Sequence, residues 1–151
     1  MLRGPIMLLT LSLIGWGSLG LADDSAAALK SLQGKWSRMV RTPDGPAKMV
    51  KEHAGNITLV TAYDEKGNVL YGHKSEFKID TTGKIPVLTF TNRTITAGPN
   101  AGQINKEATS FAFRVAKDQF IEAYGLLEND PSEPLLIVWK REKPDGPPKI
   151  D

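Results

Sequence analysis

From residue 34 onward, apolar and polar positions alternate in short runs that end at Gly, Pro, Asn or Asp. This is the pattern of half-buried β-strands joined by turns. Strands are predicted at residues 35–41, 56–63, 69–80, 86–91 (resuming at 94–96), 109–116, 119–124 and 135–141. The alternation is clearest in residues 69–80, where Val69, Tyr71, His73, Phe77 and Ile79 share one face and Lys74, Glu76, Lys78 and Asp80 the other. Thr42-Pro43-Asp44-Gly45-Pro46 is a turn, since Pro fixes φ and Gly tolerates positive φ. The segment Lys51-Glu52-His53 is charged throughout and is expected at a strand edge or in a loop, on a solvated face. Ahead of the strands, the alanine-rich residues 25–33 predict one short helix, with Asp24 or Ser25 as N-cap and Gly34 as the stop.

Seven or eight strands with no helical crossover between them form an antiparallel sheet. Such a sheet controls its edges by closing into a barrel or pairing as a sandwich. The expected fold is therefore all-β and antiparallel, with about eight strands and a short N-terminal helix.

The first residues follow a different pattern. Arg3 precedes an uncharged apolar run from residue 6 to 21, and Gly20-Leu21-Ala22 places small residues before Asp23-Asp24. This is the layout of a signal peptide cleaved after Ala22. Gly15, Gly17 and Gly20 interrupt the run, which speaks against a retained membrane anchor. The expected organisation is a signal peptide at 1–22, one domain at 23–142 and an extended Pro-rich tail at 143–151. The expected location is secreted or periplasmic, with no membrane span in the mature chain.

Leu32-Gln33-Gly34-Lys35-Trp36, a helix end followed by Gly-x-Trp opening the first strand, resembles the lipocalin and calycin signature. The closer resemblance is to the lipocalin-like domain of small exported proteins abundant in planctomycete-type bacteria. Phe77-Lys78-Ile79-Asp80, Lys84-Ile85-Pro86, Gly98-Pro99-Asn100-Ala101-Gly102 and the strand ending at Arg141 look like the same family's later motifs. The chain departs from the family's pattern at Phe111-Ala112-Phe113 and in lacking Cys. The resemblance implies a lipocalin-like up-and-down barrel. It further implies that Gly34, Trp36 and Arg141 close one end, with Arg141 over the indole. The family carries no established activity to transfer.

Composition narrows the chemistry. The 151 residues hold no Cys, which excludes disulfides, thiolate metal sites and a cysteine nucleophile. A net charge of +2 gives no footprint for nucleic acid. Two histidines twenty positions apart make a poor zinc set, so no metal or cofactor is expected. No nucleophile elbow or phosphate loop is present, and no catalytic residue is assigned. An enzyme using His73 is the weakest alternative. His73 is instead expected as an interior histidine with Glu122 as its partner. Tyr71, His73, Phe77, Phe111 and Phe113 are the candidate lining of a ligand cavity. Two functions follow: a binding module for a small apolar or amphipathic ligand, or a solid barrel that contacts an envelope protein through loops at 42–48, 97–106 and 128–134.

Overall fold

The computed structural model describes residues 20–128 and 130–143. Most of the expected signal peptide and nearly all of the Pro-rich tail lie outside those residues. The elements are α1 (Gly20–Leu32), β1 (Gly34–Thr42), β2 (Gly45–Ala54), β3 (Ile57–Tyr63), β4 (Val69–Asp80), β5 (Val87–Ala97), β6 (Ile104–Asn105), β7 (Thr109–Ala116), β8 (Gln119–Tyr124) and β9 (Leu135–Arg141). Eight strands form a closed antiparallel barrel in sequence order, with β6 as a short side strand on β5. The circle closes between β1 and β9 through only two residue pairs, Trp36 with Arg141 and Ser37 with Lys140. Among the described residues no helix is long and apolar enough to cross a membrane.

Two expectations about the elements are corrected. The helix begins at Gly20, before the predicted start at residue 25. The charged stretch 45–54 is a full strand, paired with β1 over nine positions and with β3 over seven. Its turn is shorter than the predicted loop at 42–48, because Thr42 already pairs with Gly45. Ala47, Met49, Lys51 and His53 have one parity, and Ala47, Lys51 and His53 are buried. The barrel takes alternate residues inward whatever their charge.

Strand β5 is continuous across the expected break at residues 92–93. Asn92 sits there with φ 53°, and the register against β4 shifts. Asn tolerates this left-handed conformation better than most residues. The bulge bends β5. On one edge it pairs with β7 only from Val87 to Phe90 and then with β6 at Arg93 and Thr94, while on the other edge its pairing with β4 continues to Ala97. A second irregularity between Ala62 and Tyr63 removes Val69 from the inward face of β4, leaving it 50% exposed.

The end of the barrel next to α1 is plugged. Leu32 is fully buried, and its carbonyl accepts a 2.8 Å hydrogen bond from Trp36 Nε1. The Arg141 guanidinium lies 3.9 Å from the centre of the Trp36 indole. It donates to the carbonyls of Gln33 (2.9 Å) and Ser31 (2.7 Å). A cation thereby meets the carbonyl-rich end of the helix, where the dipole favours it. Gly34 adopts φ 103°, and a Cβ there would approach Arg141 Nη1 to 3.4 Å. The Gly-x-Trp start thus turns the chain out of α1 without displacing the arginine.

Candidate functional site

The barrel interior has two unlike halves. Toward α1, Leu32, Trp36, Phe77, Leu88, Phe113 and Phe120 pack into a buried apolar cluster that continues through Phe111 and Trp139 to the cavity wall. The opposite half holds a cavity of about 250 Å³. Met49, Val60, Phe90, Phe111 and Ile137 give it apolar walls, and Arg38, Lys51, His73, Glu122 and Tyr124 contribute polar groups. Thr58, Ser75 and Trp139 also line it, and Arg93, Asn105, Glu107 and Thr109 do so where β5 has parted from β7. The strained Asn92 bulge thus sits beside the mouth. A larger concavity of about 640 Å³ is lined mainly by loop residues, among them the exposed Glu128, Pro131 and Ser132.

The floor of the cavity is an ion pair inside an aromatic cage. Lys51 Nζ donates to Glu122 Oε1, and Trp139 Nε1 donates to Glu122 Oε2 at 2.9 Å. Lys51 is 6% exposed and Glu122 fully buried. The ammonium lies 4.5 Å from the Trp139 ring centre and between 5.5 and 5.9 Å from those of Phe120, Phe90 and Phe111. Burial pushes the Lys51 amine below the ordinary lysine range, while the Glu122 carboxylate opposes that shift. Burial, reinforced by the Glu122 charge, raises the Tyr124 phenol well above its ordinary range, so it stays protonated.

Both histidines are neutral at pH 7. His53 is 2% exposed, its ring edge-on to Phe77 and Phe120, and its Nδ1 shares a 2.7 Å hydrogen bond with Thr58 Oγ1. Burial lowers its pKa to about 3, with the Lys51 charge adding to the effect. Burial, then Arg93 and Lys51, lowers that of His73 to about 4. Among the described residues three buried side-chain polar atoms have no hydrogen-bond partner: Arg38 Nε, His53 Nε2 and His73 Nδ1. Of these residues, Arg38 and His73 line the cavity.

Of the expected cavity residues, the structure brings His73 and Phe111 to the cavity wall. Phe77 and Phe113 belong to the packed half, and the Tyr71 ring lies tilted beside that of His73 at 5.5 Å without lining the cavity. His53, expected on a solvated face, is buried in the core. Glu122, expected as the partner of His73, holds Lys51 and Trp139 instead. Arg38, Lys51, Trp139 and Tyr124 are cavity-lining side chains that sequence patterning missed. Glu122 carried the usable signal: an acidic residue inward between Phe120 and Tyr124 requires a buried partner. Among the described residues no cluster of His, Asp and Glu could hold a metal ion. Comparison of the chain with known protein families, with curated proteins and with solved structures finds no match.

Proposed function

We propose that this chain is an exported binding protein that holds one small apolar or amphipathic molecule in the open half of the barrel. One observation carries the reading: the interior is filled at the α1 end and left as a walled cavity at the other. A barrel serving only as a solid scaffold gains nothing from that asymmetry, because unfilled volume forfeits dispersion contacts. The N-terminal pattern of Arg3, the apolar run and Ala22 supports export.

The cavity sets the size of the ligand. An apolar cavity of roughly 150 Å³ holds benzene, about 25 Å³ per non-hydrogen atom. At that density the 250 Å³ here takes about ten such atoms. At about 0.5–0.8 kcal/mol per atom, affinity falls at a Kd of roughly 1–200 µM. Titration with 2-naphthol, a neutral fluorescent probe of about this size, tests the proposal. The expected result is saturable one-to-one binding that disappears when Val60→Phe fills the chamber. Non-saturating binding in a folded protein overturns it.

A further inference from the structure

Resting on the reading of the open half as a ligand chamber, the geometry points to a specific ligand class: small monocarboxylates with an apolar or aromatic body, whose carboxylate is received by Arg38 and His73. Four observations support it. First, the charges inside the chamber do not balance. Among the described residues the ion pairs are Lys35–Glu52, Lys48–Glu142 and Lys51–Glu122, so Arg38 takes part in none. Glu122 is already committed through both oxygens, to Lys51 and to Trp139.

Second, Arg38 is held but not satisfied. Its guanidinium lies 5.0 Å from the Trp139 ring centre, and Nη2 faces only the Met49 sulfur at 3.8 Å. Its Nε is buried without a partner. A stacked guanidinium with an unused N–H edge is the preorganised half of a bidentate carboxylate contact. Third, His73 Nδ1 is the other unpartnered polar atom in the same wall. His73 is a neutral imidazole here, so its Nδ1 can carry a proton and donate it in a hydrogen bond.

Fourth, the remaining charges limit the ligand to one negative charge. Lys51 is neutralised by Glu122. At the rim, exposed Arg93 has exposed Glu107 as a fellow lining residue. The lining carries three cations, Arg38, Lys51 and Arg93, against two carboxylates, Glu107 and Glu122, and among the described residues Arg38 is its half-buried cation outside any ion pair, which suits a monoanion. The apolar walls then receive the rest of the molecule.

The test compares phenylacetate with its neutral isostere phenylacetamide by calorimetry at pH 7, on the wild type and on Arg38→Met. The wild type is expected to bind the acid at least tenfold more tightly, about 1.4 kcal/mol. Arg38→Met is expected to erase that preference, so that acid and amide bind with equal affinity. Arg38→Gln serves the same test if Arg38→Met does not fold. Equal affinity for acid and amide in the wild type overturns the carboxylate assignment and leaves the chamber reading intact. An acid preference that survives both Arg38 substitutions overturns the role of Arg38. Failure of phenylacetate alongside good 2-naphthol binding likewise refutes the assignment, whereas failure of all three compounds removes the chamber itself.

Discussion

Protonating His53 should destabilise this barrel in a pH range where most proteins change little. The ring is 2% exposed, flanked by Phe77 and Phe120, with the Lys51 ammonium nearby. A charged imidazole there loses its hydration and gains a like-charge neighbour. Its pKa falls from 6.5 to about 3 on folding. The unfolded chain therefore binds the extra proton first, so stability falls as pH falls. The contribution is fully present above about pH 6.5 and is lost progressively toward pH 3. Between those limits the slope approaches about 1.4 kcal/mol per pH unit, which amounts to about 2 kcal/mol between pH 7 and pH 5. His73, lowered to about 4, adds to the loss in the same direction, by less because it is less deeply buried. Urea unfolding of the wild type and of His53→Gln at pH 5, 6 and 7 isolates the effect. The variant should be less stable at pH 7 and should lose about 2 kcal/mol less between pH 7 and 5. Equal pH slopes in the two proteins would refute the argument, as would an NMR titration placing the His53 pKa near 6.5.

Other substitutions probe the chamber floor and the closed end. Lys51→Met or Glu122→Leu alone should each cost about 3–5 kcal/mol, because each leaves a buried charge without its counter-ion. The double variant should cost less than the two single losses combined, and additive losses in urea unfolding would show that the pair is not coupled. At the closed end, Trp36→Ala should cost about 3–5 kcal/mol. Arg141→Met should cost about 2–4 kcal/mol, since it removes the cation–π contact and two hydrogen bonds to the end of α1. An unchanged melting temperature for either variant would contradict their role in closure. Gly125 has φ 68°, and a Cβ there would lie 2.4 Å from the Ser132 carbonyl oxygen. Gly125→Ala should therefore lower the melting temperature by several degrees through displacement of the Ser132-Glu133-Pro134 backbone, and an unchanged melting temperature would refute that.

Alternation along β4 was enough to read His73 and Phe77 as inward, and the turn residues marked most strand boundaries. Strand count alone leaves a barrel and a sandwich open, because either deals with the edges of an antiparallel chain; the barrel is what the resemblance at Gly34-Lys35-Trp36 implies. Height within the barrel was not legible. Phe111 and Phe113 have the same parity on β7 and both belong to the buried cluster, yet only Phe111 also lines the cavity. That difference depends on register against β5 and β8 and on where α1 plugs the end. The β2 strand escaped because Lys51-Glu52-His53 has the composition of a solvated segment. Its parity, with Met49, Lys51 and His53 in step and Glu52 out of step, held the correct answer. Charge hid it, since the partner that makes Lys51 tolerable inside, Glu122, lies 71 positions away.

The claim that the open half of the barrel receives a ligand is tested most directly by methyl NMR during a 2-naphthol titration. Met49, Val60 and Ile137 supply methyl groups to the chamber wall, while Met39, Leu136 and Val138 are exposed. The account predicts saturable shifts at the first three with a common Kd, and little change at the others. Shifts confined to the outer three, or no saturable shift at all, would contradict it.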